Sequence, residues 1–194
     1  IFPFDYIEMI NRTVSDEDIE SLAYFFNWSV SSAHIRYLKI FVTNIHLNIL
    51  PFSTNYTNNA YTRIFLQQAK NSPHLLFAIL AISARFEVYQ IEQNPNIPGY
   101  EDKLNYHNKY RSYYLSSCLK ALESVLHSKQ TTLNNIETLL LTIQVLASDF
   151  SGHKGSQWRT HLHGAKDLLI EYCRYRPLSL ELTIVWVWFY SMEV

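Results

Sequence analysis

Apolar residues recur along most of the chain at intervals of three and four, which is the spacing that places them on one face of an α-helix. The segment from Ser32 to Leu50 shows the pattern clearly, with apolar side chains at Ile35, Leu38, Val42, Ile45 and Ile49. Pro51 follows directly, and the residue before a proline is disfavoured in helical conformation. The pattern therefore predicts a helix that ends at Leu50.

The middle of the chain predicts two long helices. Ser72 is a good N-terminal cap and Pro73 suits the first helical position, so a helix is predicted from there to about Gln93. Its expected buried stripe is Leu76, Ile79, Leu80, Ser83 and Phe86. A loop with two prolines follows at 94–99, and Glu101 to His127 is predicted as one helix. Its expected buried side carries Leu104, His107, Tyr114, Cys118, Leu122 and Val125.

Four further segments show helical periodicity. They run from about Asp16 to Trp28, from Asn58 or Asn59 to Lys70, from Thr132 to Phe150, and onward from Ser156. The predicted stripe of the third segment is Ile136, Leu139, Leu140, Ile143 and Ala147. The stripe of the fourth is Trp158, His161, Leu162, Ala165, Leu168, Leu169 and Tyr172.

The last segment, Leu182 to Val194, is apolar almost all round, which predicts burial on several sides. We expect it to pack against chain that continues past Val194. Only 4 glycines and 6 prolines interrupt the sequence, which favours long helices over many short strands. The sequence thus predicts one all-α domain over residues 1–194, a multi-helix bundle of about 7–9 helices in antiparallel hairpins, within a longer helical region.

Composition narrows the function. The hydrophobic fraction of 48% over 194 residues supports a sizeable core and argues against disorder. The net charge is -1, whereas a DNA-binding domain usually carries a basic excess that neutralises phosphates. The uncharged, mostly apolar runs Asn71 to Ala84 and Leu182 to Met192 are shorter than the ~20 residues of a membrane span. We therefore expect neither direct DNA binding nor membrane insertion.

Catalytic and metal-binding motifs are not evident in the sequence. It has no glycine-rich phosphate loop and no HExxH segment, and its carboxylates are scattered. Cys118 and Cys173 do not form a CxxC pair, so cysteines cannot build a zinc cluster here. His161 and His163 are two residues apart on different faces of a helix, with His153 farther off. We expect no enzyme activity, no catalytic residue, and no metal or cofactor in this chain.

Two aromatic clusters have a functional interpretation beside a structural one. One combines basic residues with tyrosines, a mixture that can stack on nucleic acid, at Tyr106, Lys109, Tyr110, Arg111, Tyr113 and Tyr114. Its good apolar stripe favours packing instead. The other cluster can line an apolar effector pocket or pack in the core, and consists of Trp186, Trp188, Phe189 and Tyr190.

Three segments, in this order and spacing, resemble the fungal-specific transcription factor domain found C-terminal to zinc binuclear-cluster DNA-binding modules. They are residues 73–84, 113–122 and 155–169. The most specific piece is a Trp-Arg-x-His-Leu-x-Gly-Ala string, formed by Trp158, Arg159, His161, Leu162, Gly164 and Ala165.

The resemblance implies a regulatory domain of a nuclear protein that restrains or exposes activation. It implies partners of four kinds: other parts of the same protein, transcriptional co-regulators, a small effector, or a second copy in a homodimer. Zinc and DNA contact would belong to an N-terminal module absent from this chain. Two alternatives stay open, a structural interaction module in a non-transcriptional complex and a helical lipid or isoprenoid enzyme. The enzyme needs acidic metal-binding pairs, which the sequence does not show.

The signature string also has a structural interpretation. Trp158, His161, Leu162 and Ala165 fall on the predicted buried stripe of their helix. Arg159 lies off it and is expected to reach carbonyls near residues 149–152. Gly164 sits within the helix, where glycine costs about 1 kcal/mol relative to alanine. We therefore expect a neighbouring helix to approach closely at Gly164, and we interpret the string as scaffold.

Overall fold

The computed structural model describes residues 32–45, 60–148 and 157–174, together with positions 177, 179, 183 and 187. Every regular element in these ranges is helical, and they contain no strand, which confirms the all-α class. The helices are α1 (Ser32–Ile40) with a π-helical continuation (Phe41–Ile45), α2 (Ala60–Ala69), α3 (Pro73–Glu92), α4 (Tyr100–Leu126), α5 (Lys129–Asn134), α6 (Ile136–Ala147) and α7 (Gln157–Cys173). Some predictions concern chain that lies largely outside the described residues, and they stay predictions. These are the total of 7–9 helices, hairpin packing throughout, and helices at 16–28 and 182–194.

Helix α3 is the centre of the core. It packs against α1, α2, α4 and α6, and most of its circumference is buried. Pro73 occupies its first turn as predicted, and Ser72 occupies the N-cap position, but the Ser72 side chain makes no capping hydrogen bond. Most predicted stripe residues of α3 are buried, and Phe86 is half-buried.

Helix α4 runs back along α3. His107 of α4 lies beside Glu87 of α3, whereas Arg111 and Leu115 lie beside Ala81 and Ile82, so the two helices are antiparallel. The chain reverses between them over residues 93–99. Gly99 ends the connection with φ of 71°, in the left-handed region that glycine adopts without the strain of a β-carbon.

By length and composition, α3 is the one helix among the described residues that is long and apolar enough to cross a membrane. Its most apolar window is 67% buried within the protein. Arg85, Glu87 and Glu92 lie on the same helix, and Arg85 pairs with Glu92. This burial is that of the core helix of a folded domain.

Two predicted helices are interrupted. The helix predicted from Ser32 to Leu50 is α-helical to Ile40 and π-helical over Phe41–Ile45, and residues 46–50 lie outside the described residues. The helix predicted from Thr132 begins instead as the separate α5 and breaks at Asn135. The Asn135 side chain donates to the Thr131 carbonyl at 2.8 Å. Such local bonds compete with regular helix geometry, which accounts for the break.

Helices α6 and α7 complete the described core. Helix α6 is buried on nearly every side, and the buried face of α7 carries Ala165, Leu169 and Tyr172. These three positions belong to the stripe predicted from the sequence. The register of α7 is therefore confirmed where its side chains are described.

Candidate functional site

Four polar side chains meet where α1 packs against α3 and α4. The Tyr37 hydroxyl of α1 is 2.9 Å from Nδ1 of His107 on α4. The other ring nitrogen of His107 is 3.6 Å from a Glu87 carboxylate oxygen of α3. Arg36, next to Tyr37 on α1, donates to the same oxygen. Four side chains from three helices thus form one continuous chain of contacts, which we call the polar relay: Arg36, Tyr37, Glu87 and His107.

The relay is satisfied with a neutral histidine. If the ring hydrogen is on Nε2, it faces the Glu87 carboxylate, and Nδ1 accepts the hydrogen of the Tyr37 hydroxyl. Burial lowers the pKa of His107, the Arg36 charge lowers it further, and the Glu87 charge raises it. Burial likewise raises the pKa of Tyr37 well above its ordinary value. Both groups are therefore held in their uncharged forms.

Tyrosine rings surround the relay. The Tyr37 ring lies 5.8 Å from that of Tyr110 and 5.7 Å from that of Tyr114, between centroids. Tyr114 is fully buried, and its hydroxyl has no hydrogen-bond partner in the structure as described. Tyr106 and Tyr113, by contrast, are 45% and 57% exposed. The predicted tyrosine cluster is therefore split between core and surface.

The relay has the connectivity of an acid–base system but lacks access to a substrate. Tyr37 is 0% exposed and His107 is 3% exposed. A catalytic group must reach the proton it transfers, within hydrogen-bond distance or through one water. The geometry instead fastens α1 to the α3–α4 pair, because each hydrogen bond joins two different helices.

A second buried histidine joins α3 to α6. His74 Nε2 is 3.0 Å from the hydroxyl of Thr138, which itself donates to the Asn135 carbonyl. The Thr138 oxygen therefore accepts from His74, and the imidazole is neutral with its hydrogen on Nε2. Burial lowers the pKa of His74 to about 4. This contact holds the start of α3 against the start of α6.

Two other interior features bear on ligand binding. Gln144 of α6 is fully buried, and its amide oxygen and nitrogen have no partner in the described structure. A hollow of about 30 Å³ lies between α3, α4 and α6, lined by Ala81, Ile82, Arg111, Leu115 and Leu146. That volume suits about one or two water molecules rather than a metabolite.

The signature string falls in α7, but only part of it can be assessed. The backbones of Trp158, Arg159, His161 and Leu162 are helical, and their side chains lie outside the described residues. Ala165 is fully buried, as predicted. Gly164 is exposed, and a β-carbon built there meets no atom within 4 Å. The expected close approach of a helix at Gly164 is therefore wrong, because Gly164 faces open space.

The remaining predicted site residues are not brought together by described structure. Trp186, Trp188, Phe189 and Tyr190 lie outside the described residues, as do His153 and the His161 side chain, while His163 is exposed. Neighbouring Val187, which is described, is 53% exposed. Among the described residues, no group of three or more His, Cys, Asp or Glu side chains is placed to hold a metal ion.

Sequence reasoning placed His107 and Tyr114 on the buried side of α4 but missed their partners. Arg36 and Glu87 are 51 residues apart, and Tyr37 and His107 are 70 apart. Adjacent Arg36 and Tyr37 beside an apolar stripe carry no signal for contacts at that separation. A histidine at a stripe position was the single available hint that a buried polar partner exists.

Comparison with known proteins places this architecture in context. A sequence profile described as the fungal specific transcription factor domain matches residues 36–194. The chain is also 34% identical over 189 residues to the lysine biosynthesis regulatory protein LYS14 of Saccharomyces cerevisiae. The alignment covers 95% of this chain and 22% of that protein, so the chain spans about a fifth of its relative's length. No solved structure matches the chain significantly.

Proposed function

The chain belongs to the family of fungal specific transcription factor domains, and from this premise we propose that it is the regulatory domain of a fungal zinc-cluster transcription factor and does not itself contact DNA. The observation that carries the proposal is the extent of the family match, which runs over residues 36–194. The similar yeast protein is named as a regulatory protein, which supports the same class of function.

The charge distribution supports a domain that leaves DNA to another segment. The chain's 16 basic residues are balanced by 17 acidic ones. Three arginines are paired with carboxylates: Arg36 with Glu87, Arg85 with Glu92, and Arg174 with Glu171. A surface of this kind neutralises few phosphates, and phosphate neutralisation supplies most non-specific DNA affinity.

The family and the yeast relative are transcription regulators rather than enzymes. The burial of the polar relay supports the same conclusion for its histidine. We propose that zinc is held by a separate DNA-binding module of the parent protein. Cys118 is fully buried in the core beside the tyrosines, where burial raises its thiol pKa to about 12, a poor environment for a metal-binding thiolate.

The regulatory step itself is proposed to be a change in how this domain contacts other parts of the protein, transcriptional co-regulators or a small effector, in the nucleus. The 30 Å³ hollow is too small for an effector. An effector would therefore use another surface, and the aromatic segment with Trp186, Trp188, Phe189 and Tyr190 remains the candidate from sequence.

Two measurements test the proposal. The purified chain should give no mobility shift with random or genomic DNA fragments at physiological salt, whereas a footprint from the chain alone would contradict it. In the full-length parent, deletion of residues 36–194 should leave DNA binding in vitro intact and change transcription of bound genes. Unchanged transcription at equal protein abundance would favour a structural interaction module in a non-transcriptional complex instead.

A further inference from the structure

The connection that follows α7 carries two arginines at fixed distances before a serine. Arg174 and Arg176 precede Ser179 by five and three residues. They are the one pair of arginines in the sequence that stand two residues apart, so no other serine or threonine has arginines at both positions. This is the charge pattern that arginine-directed serine kinases recognise, because carboxylates of the kinase pair with each guanidinium group.

The structure places this serine outside regular secondary structure. Helix α7 ends at Cys173, and Arg174 lies in a turn with its side chain 67% exposed. Pro177 is exposed and Ser179 is partly exposed, and neither residue belongs to a helix or a strand. A kinase must surround its serine and the residues before it, which the interior of a helix does not allow. The surroundings of Ser179 therefore suit a kinase substrate.

Ser112 of α4 is the contrasting case. It is exposed, and it follows Lys109 and Arg111 by three residues and one residue. It lies in the middle of α4, however, so several backbone hydrogen bonds of a 27-residue helix would have to open before a kinase could surround it. Basic residues precede both serines, and the local structure distinguishes them.

We propose that Ser179 is a phosphorylation site for an arginine-directed serine kinase that uses ATP. The hydroxyl oxygen of Ser179 forms a bond to the γ-phosphorus of ATP, and the bond from that phosphorus to the oxygen bridging it to ADP breaks. The hydroxyl proton passes to a base of the kinase. The products are phosphoserine and ADP, and this chain supplies the acceptor and the two arginines that direct the kinase.

The new phosphate has cationic partners close by in the chain. It carries a charge of about −1.5 to −2 and three acceptor oxygens. Arg174 donates to Glu171 at 3.3 Å, and an exposed ion pair of this kind contributes little, so Arg174 can turn to the phosphate instead. The Ser179 carbonyl accepts from the Thr183 N–H at 2.9 Å, so the phosphate also precedes a helical turn, where negative charge is favoured. Slower tryptic cleavage after Arg174 in the phosphorylated chain would report the pairing.

Incorporation of phosphate into the full chain tests the site. The chain is incubated with labelled ATP and a kinase that phosphorylates Arg-x-Arg-x-x-Ser peptides, and mass spectrometry maps the product. Phosphate should appear on Ser179, Ser179→Ala should abolish that incorporation, and Ser112→Ala should leave it unchanged. No incorporation, or equal incorporation in the wild type and Ser179→Ala, would overturn the proposal.

A second variant keeps the serine and changes the arginines. Arg174→Gln with Arg176→Gln should lower kcat/KM for phosphorylation about tenfold or more, because two charge-assisted contacts with the kinase are lost. Lys109→Gln with Lys120→Gln is the matched control, since it removes two exposed positive charges from α4 and should leave kcat/KM unchanged. Circular dichroism checks that all variants are folded. An unchanged kcat/KM in the arginine variant would contradict the proposed recognition.

The parent protein purified from cells tests whether the site is used. Because proline follows Arg176, trypsin cuts after Arg174, and the peptide that contains Ser179 begins at Tyr175. This peptide should be recovered partly in phosphorylated form from cells treated with phosphatase inhibitors. Recovery of the unmodified peptide alone would overturn the proposal. The readout is phosphate rather than transcription, so it is independent of the regulatory role proposed above.

Discussion

The two halves of α4 have opposite surroundings although they belong to one continuous helix. The first half, from Tyr106 to Tyr114, packs beneath α1 and supplies the histidine of the polar relay. The second half, from Leu115 to Leu126, has apolar side chains exposed to solvent. Both halves bury one face, with His107 and Tyr114 in the first and Cys118 in the second, but the first half buries polar groups whereas the second exposes leucines.

The difference teaches that residue hydrophobicity alone does not decide which part of this helix is buried. The first half tolerates burial because each buried polar group of the relay has a partner, and buried polar groups are costly mainly when unpaired. In the second half, Leu115 lies against residues of α3 and α6, whereas Leu119 and Leu126 are more than half exposed. Burial of the relay side chains stabilises the fold, and the exposed leucines contribute little to the core.

The largest expected difference is between two adjacent tyrosines of the first half, Tyr114, which is fully buried, and Tyr113, which is exposed. Tyr114→Ala should lower the free energy of unfolding by roughly 3–5 kcal/mol, because it empties a fully buried aromatic site. Tyr113→Ala, at a position 57% exposed, should change it by about 0.5 kcal/mol or less. Urea unfolding measures both, and equal losses at the two positions would show that the boundary between core and surface is misplaced.

Acid should weaken the described polar contacts by a predictable amount. The pKa of His74 is lowered by burial from 6.5 to about 4, so below pH 6.5 the unfolded chain binds a proton that the folded protein excludes. The free energy of unfolding should fall on the order of 3 kcal/mol between pH 6.5 and 4 from this group. His34 and His107, whose pKa values are also lowered by burial, should add to the loss.

The control for this pH dependence is His74→Gln, which keeps a donor for Thr138 and does not titrate. Its unfolding free energy, measured by urea at pH values from 7 to 4, should fall less steeply than that of the wild type. Parallel curves for the two proteins would mean that His74 is protonated equally in the folded and unfolded states.

Removing a single hydroxyl group should affect stability differently at two buried tyrosines. The hydroxyl of Tyr37 is hydrogen-bonded, whereas that of Tyr114 has no partner among the described residues. Tyr37→Phe should lower the free energy of unfolding by about 1–3 kcal/mol, because it leaves the buried Nδ1 of His107 without its donor. Tyr114→Phe removes a buried hydroxyl that has no partner among the described residues, so it should be neutral or stabilising. Thermal or urea unfolding that ranks the two variants in the opposite order would contradict the relay geometry.

The smallest effect is expected at Gly164, in the signature string of α7. Since a β-carbon there meets no atom within 4 Å, Gly164→Ala should gain helix propensity at no steric cost. The expected gain in the free energy of unfolding is at most about 1 kcal/mol. If the variant instead has a lower free energy of unfolding in urea, a neighbouring helix must approach Gly164 closely after all.

Local features of the fold were predictable because helix signals are local. The bounds of α3 and α4 follow from Pro73, the loop at 94–99 and the apolar period, and the structure differs from the predictions by one residue at most ends. The break at Asn135 and the π-helical continuation at Phe41 depend on side-chain bonds and packing that periodicity does not register.

The contacts of the candidate site were harder to predict from the sequence. The polar relay joins pairs of residues that are separated by 51 and by 70 positions in the chain, and the pattern of a single sequence contains no information on such pairing. Gly164 shows the reverse error, since a glycine within a helix was given a tertiary reason that the open space around it does not support. The signature string identified the family. The side chains of Trp158, Arg159, His161 and Leu162 lie outside those that the structure describes, so their role stays a prediction.

The most direct test of the whole account is transcription in cells whose own gene lacks residues 36–194. If the chain is a regulatory domain that leaves DNA contact to another module, transcription of the bound genes should change, while chromatin immunoprecipitation shows promoter occupancy at the wild-type level. A transcript profile identical to wild type at equal protein abundance would contradict the account.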